Sequence, residues 1–382
     1  MRRHLRIIAR DLIDRQSELF EQAPPVGTQQ RLGLLQAGHL HTKRRALLIA
    51  IVSWAPIIIL EQLFPGSRLV PDQGIHVRYL IAAPLLILAE SICGMRLTAI
   101  ARHFLIGNLV LERDRPRFER IMDSSRHLLA SRAVEIVAWI AAYALTAALL
   151  GKTSANWREW SQAMWWNAIV SLPLLLLLLL GWVWRLVVWT RFLALVARLD
   201  LRLVASHPDR AAGLGFVAQS LRAFAVVALA IGTILAGATA RAVMHTRTIP
   251  SANMHFNIGV VVGIAVVFTL PLFVLIPILA KTHRRAVVEY GELAGDVGRV
   301  FEAKWVTNRS RSTREAGIQE PDFSATTDLY QVVSNVYAMR IIPVSLTELA
   351  ILVLASFLPF VPVVLLTVPP SVIFEKLKDL LL

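Results

Sequence analysis

The chain has 382 residues, 56% hydrophobic and 17% charged, with a mean hydropathy of +0.58. With several long uncharged runs, these values exclude a soluble domain with a large core and indicate an integral membrane protein. The formal charge of +14 invites a nucleic-acid reading, but the basic residues fall where topology signals fall, so no nucleic-acid partner is expected. Cys93 is the only cysteine, which excludes an intrachain disulfide.

In chain order, 1–45 is read as a cytoplasmic amphipathic segment. Leu5, Ile8, Leu12, Leu19 and Phe20 fall near helical spacing with arginines between them, Pro24-Pro25 ends the pattern, and no run is apolar enough for a signal peptide. A seven-span transmembrane domain, 46–368, follows, with spans at 46–64, 79–95, 133–150, 164–184, 223–240, 257–280 and 346–368. The segments before, between and after these spans hold 9, 2, 8, 2, 6, 2, 9 and 2 Lys and Arg residues, accounting for all 40. That alternation is the positive-inside pattern, with a cytoplasmic amino terminus and an external carboxyl terminus. A re-entrant 346–368 would return the carboxyl terminus to the cytoplasm.

The organising stretch is 164–205. It opens on Trp165 and Trp166, runs through Leu174 to Leu180, and continues past Arg185, Arg191, Arg198 and Arg202. As one helix it would be roughly 60 Å long, twice a hydrocarbon core, so its second half projects into the cytoplasm. Trp157 and Trp160 join the tryptophan pair in an aromatic belt at the outer face. Cytoplasmic helical segments are expected at 96–132, 185–222 and 281–345. The first is a hairpin with Asp114 as N-cap, and the last ends in a short helix over 327–340 carrying Leu329, Val332, Val333 and Val336 on one side. Residues 369–382 form an amphipathic end at the outer interface.

Span five carries Ala228, Gly232, Ala236 and Ala240 at four-residue intervals, and span six Gly259 and Gly263, so both are placed inside the bundle. The leucine-rich fourth span offers no such groove and is expected to face lipid. Prolines interrupt five spans, at Pro56, Pro84, Pro173, Pro271 with Pro277, and Pro359 with Pro362. Such kinks occur in transporters and in inert bundles alike. No internal repeat supports an inverted-repeat transporter.

An ionisable group within a span is a functional candidate because burying it is costly. Glu348 follows Ser345-Leu-Thr and reads as a capping-box carboxylate. Glu135 lies one turn after Arg132 and reads as its ion-pair partner; Glu61 is in reach of Arg78. Glu90 lies deepest, with Arg96 at the border beyond it. It either pairs with Arg96 or the third span, or carries a proton or ion. In the turn between spans four and five, Ser206 or His207 can cap a new helix with Pro208 in its first turn, and His207, Asp209 and Arg210 offer a polar site for an anion or partner.

No zinc helix, nucleophile elbow, Walker loop or CxxC pair occurs, so no enzyme, catalytic residue, metal or cofactor is expected. His245 and His255, with Asn253, lack a carboxylate or thiol to complete a metal set.

The stretches VRYLIAAPLLILAE (77–90), HPDRAAGLGF (207–216), EPDFSATTDLYQVVSNVYAMRIIPV (320–344) and LPFVPVVLLTVPP (358–370) resemble a family of multi-spanning bacterial inner-membrane proteins. The resemblance implies class, topology and inner-membrane location; it carries no activity, ligand or site residue. The expected fold is therefore an all-α polytopic membrane helix bundle of about seven transmembrane helices with cytoplasmic helical extensions. Two functions stand nearly equal. One is a homo-oligomeric channel or transport-type protein with Glu90 near its cytoplasmic mouth. The alternative is a membrane scaffold or signalling component that binds a cytoplasmic protein partner. A lipid-modifying enzyme ranks third, for want of a catalytic constellation.

Overall fold

The computed structural model describes residues 42–64, 72–153, 158, 160–246, 254–307 and 322–367, and every regular element among them is helical. Of the expected amphipathic segment at 1–45, residues 1–41 lie outside the described residues and the last four begin α1; 369–382, Trp157 and Asn253 also lie outside them. In chain order the helices are α1 (Thr42–Leu63), α2 (Gly74–Ile106), α3 (Arg115–Leu129), α4 (Arg132–Thr153), α5 (Gln162–Val196), α6 (Gln219–Thr246), α7 (Met254–Phe273), α8 (Ile276–Glu302), α9 (Asp322–Tyr337), α10 (Leu346–Phe357) and α11 (Phe360–Thr367).

Six of these, α1, α2, α4, α5, α6 and α7, are long and apolar enough to cross a membrane. The protein is thus an all-α, multi-pass membrane bundle. The seventh expected span is not one helix: 346–367 breaks at Leu358-Pro359 into α10 and α11. At about 1.5 Å per residue, the 12 residues of α10 reach only about 18 Å, well short of a hydrocarbon core of about 30 Å.

α6 is the central helix, with 61% of its most apolar stretch buried, against 22% for α1 and α4. It packs along α10 on one side and α2 on the other, while α1 lies on α2, α3 and α4 lie on α5, and α7 touches α5, α6 and α10. The small residues explain why α10 comes so close. A Cβ placed on Gly232 would stand 2.1 Å from the backbone oxygen of Ser356. Gly259 and Gly263 have the same spacing as the residues of α6 but face open space, so they do not pack α7 into the bundle. The leucine-rich α5 is as buried as α2, 50% each, contrary to its expected lipid exposure. One side of its leucine run, at Leu177, packs on the small residues Ala138 and Ala142 of α4.

Two of the prolines are accommodated by donors from neighbouring helices. Pro56 has no N–H for the carbonyl of Val52 four residues back, and the Trp166 indole on α5 donates to that carbonyl instead, at 3.1 Å. Pro173 frees the carbonyl of Ile169 in the same way, and the Tyr143 hydroxyl on α4 donates to it, at 3.1 Å. Each of these two freed carbonyls is therefore tied to a neighbouring helix, as a backbone acceptor in a bilayer requires.

The loops after α2 and α5 meet at one end of the bundle, the basic end. Arg202 N–H donates to the Leu109 carbonyl at 2.8 Å, and Arg113 pairs with Asp200. α5 stops at Val196 rather than continuing to 205, leaving Arg198 and Arg202 in the loop. α3 begins at Asp114 as expected, but that carboxylate faces Arg113 and Arg117 and caps no N–H. The expected extension of the sixth span exists but is interrupted at Val274-Leu275, where α8 starts afresh with Pro277 in its first turn.

The paired glycines give a direct test of this packing. Gly232→Ala is expected to lower stability by about 1–3 kcal/mol through overpacking against the α10 backbone. Gly259→Ala should be neutral or slightly stabilising. Thermal denaturation of the purified chain in detergent compares the two.

Candidate functional site

Glu90 sits in the middle of α2 at 1% exposure, and two other helices reach it. Arg45, in the first turn of α1, places Nη2 2.6 Å from Oε2, and Arg185 of α5 places Nη2 2.9 Å from Oε1. Both guanidinium groups are at 2% exposure. Arg185 also lies over the Trp182 ring, 4.7 Å from its centroid, and the Trp182 indole donates to the Leu86 carbonyl one turn before Glu90. The three charges tie α1, α2 and α5 together at one point.

This arrangement corrects the expected partner. Arg96 is exposed and hydrogen-bonds the Arg222 carbonyl, at 3.5 Å. Among the described residues, the Glu90 carboxylate contacts Arg45 and Arg185 and takes no ion pair from the third span. Arg45 and Arg185 escaped notice because they flank the assigned spans, at 46 and 184, and so counted as surface charge. The available signal was their position: each lies one residue outside an apolar run, too close for a long side chain to be certain of reaching water.

The cluster holds a net positive charge away from solvent. Among the described residues, Arg45 Nε and Nη1 and Arg185 Nε find no hydrogen-bond acceptor. In such a cluster desolvation is offset only while all partners are present; removing one strands the others.

The other candidates do not join this site. Glu135 is buried near the start of α4, and Glu61 is half-buried in the last turn of α1. Glu348 forms no capping box, because the Ser345 side chain caps no N–H. Arg222 of α6 grips the Glu348 carboxylate with two contacts of 2.8 Å each, fixing the foot of α10 against α6.

His207, Asp209 and Arg210 do cluster, as a turn. No helix starts at Pro208. Asp209 accepts from the backbone N–H of Ala211 at 2.8 Å, Gly213 at 3.1 Å and Gly215 at 2.8 Å, and lies 2.9 Å from His207 Nδ1. These bonds hold Arg210 (φ 54) and Ala212 (φ 55) in the left-handed region, together with Gly213 (φ 90). Gly215 must lack a side chain, since a Cβ there would meet Asp209 at 2.9 Å. The Arg210 carbonyl accepts from Arg340 N–H, at 2.6 Å, fastening the turn to the segment after α9. Asp209 is fully engaged in shaping the loop. Burial alone would raise its pKa, but the N–H groups of Ala211, Gly215 and Gly213 and the His207 side chain outweigh it and hold the carboxyl below its ordinary value.

Among the described residues, no group of three or more His, Cys, Asp or Glu side chains is placed to hold a metal. No family model, curated protein or solved structure matches the chain.

Two outcomes follow. Glu90→Gln is expected to destabilise the bundle by about 3–5 kcal/mol, because it leaves two buried guanidinium groups without a counter-charge; chemical denaturation in mixed micelles measures it. Because the pKa of Asp209 is depressed on folding, its contribution is full above the ordinary carboxyl value of about 3.9 and is lost as pH falls through the lower, folded one. Amide protection at Ala211, Gly213 and Gly215, corrected for intrinsic exchange, should therefore hold from neutrality to about pH 4. In Asp209→Asn it should already be weak at neutrality.

Proposed function

We propose that the protein is a membrane scaffold or signalling component that binds a helical protein partner on its cytoplasmic side. The observation carrying this reading is a heptad face on α8. Leu279 and Ala286 are buried against the bundle, at 0% and 5% exposure, and Leu293 and Val300 continue the same seven-residue series at 47% and 69%. α9 does not cover them, since it lies over Gly291 and Gly298, where its Tyr337 and Tyr330 hydroxyls approach. Tyr290 and Val297, both half-buried, complete the alternate positions. A stripe at spacing seven is what a second helix packs against. The charged residues beside it, in the Arg285–Glu289 and Arg299–Asp296 pairs, would set the register of that partner.

The cytoplasmic assignment rests on the alternation of basic residues, which supports an inner-side location for α8, α9 and the loops after α2 and α5. The channel reading loses support. Among the described residues, the buried hydroxyls of Thr146, Thr233, Thr239, Thr269 and Ser356 donate to carbonyls of their own helices. The donors of these five are thus spent within their own helices, and the buried hydroxyls of Thr98 and Ser220, which make no hydrogen bond among the described residues, are too few to form a polar stripe. The proposed role is non-enzymatic.

A photo-crosslinking residue at Leu293 or Val300, activated in intact membranes, should yield adducts with a second polypeptide, and Leu293→Glu should abolish the adduct formed at Val300. Adducts confined to the same chain would contradict the proposal. Purified chain in proteoliposomes should pass no ions; reproducible flux would restore the channel reading.

A further inference from the structure

A cavity of about 490 Å³ opens sideways from the bundle at the end opposite the basic one. Val77, Ile81 and Leu85 of α2 form one wall, and the outer half of α6 from Leu229 to Met244 forms its back. The break between α10 and α11, at Leu358 and Pro359, closes the third side. The proline break that keeps 346–367 from being a single helix thus also shapes this groove. Its lining is apolar apart from Thr233, whose hydroxyl is spent on the Leu229 carbonyl. From Leu229 to Met244 the groove follows α6 for about 22 Å, which exceeds the roughly 15 Å of one leaflet's hydrocarbon and so reaches the headgroup level.

The chemistry at its outer mouth is charged. Arg241 of α6 lies 2.9 Å from Asp72, whose other oxygen accepts from Gly74 N–H at 2.9 Å. Arg78 belongs to the same cluster: its Nη2 and the Gly237 carbonyl both lie within 3.6 Å of the point where a Gly74 Cβ would stand. Asp72 is committed to Arg241 and Gly74, and among the described residues Arg78 makes no ion pair. Among the described residues, two guanidinium groups thus stand against one carboxylate, a positive balance at the top of an apolar slot.

We propose that this groove holds one acyl chain of an anionic phospholipid, with its phosphate at Arg78 beside the Arg241–Asp72 pair. The apolar walls, the leaflet-scale length and the unmatched charge at headgroup level each fit one part of such a molecule, and guanidinium suits phosphate in geometry as well as charge. The site is independent of the partner-binding face on α8, which lies on the far side of the membrane from it.

The test uses the full-length chain, delipidated in detergent and titrated with phosphatidylglycerol or phosphatidylcholine of identical chains under native mass spectrometry. The expected result is one retained phosphatidylglycerol, bound at least tenfold more tightly than phosphatidylcholine. Ala240→Trp and Ile81→Trp fill the slot from two partly exposed positions and should each weaken retention at least tenfold, with circular dichroism confirming the fold. Arg78→Gln should remove the headgroup preference while leaving chain binding in place. Equal binding of both lipids by the wild type, or retention unchanged by both tryptophan variants, would overturn the proposal. So would a wild type that takes no lipid while a chain ending at Thr367 does, because residues 368–382 would then be the occupant.

Discussion

The interaction on which the bundle depends is the carboxylate of Glu90 held between Arg45 and Arg185. It is a point where three helices meet, and it is made of charges that have left water. Around it the packing is ordinary: Trp182, Leu86, Leu186 and Trp189 fill the space with apolar surface. The charge cluster adds direction. An apolar side chain tolerates rotation of its helix by some tens of degrees, whereas a guanidinium in hydrogen-bond contact with a carboxylate oxygen does not. The rotational setting of α1, α2 and α5 is therefore tied to these two contacts, and the loops and extensions at the basic end inherit it.

The other polar features serve the same end. Carbonyls released by Pro56 and Pro173 are taken up by Trp166 and Tyr143 on neighbouring helices. Arg222 and Glu348 pin α10 to α6 below the close crossing at Gly232, and Asp209 spends its oxygens on its own loop. A framework fixed at so many points suits a protein that presents surfaces. Two are left unfilled: the second half of the α8 heptad face, and the lateral groove where α10 gives way to α11.

Much of this was legible in the sequence, for physical reasons that also mark where legibility ends. A lipid-crossing helix must be apolar over about 20 residues, so six spans stand out as apolar runs. The seventh run is just as apolar, but Leu358-Pro359 splits it, and hydropathy does not register a broken helix. Glu90 announced itself as a charge inside an apolar run. Its partners could not, because which face Arg45 and Arg185 turn inward depends on how three helices pack, and that is absent from any one of them. Gly232 and Gly259 make the same point: equal spacing, opposite surroundings. The residues of the α8 heptad were readable in order, whereas the fact that its first half is covered and its second half bare is a property of the assembled bundle.

The most direct measurement is a stability comparison in which the charges are removed one at a time and then together. Glu90→Leu alone should be the most damaging change, Arg45→Met with Arg185→Met should come close to it, and the triple replacement should recover most of the loss, since no buried charge then lacks a partner. That non-additivity is what a charge lock requires. If the triple variant is as unstable as the sum of its parts, each side chain acts through its own packing, and Glu90 does not organise the bundle.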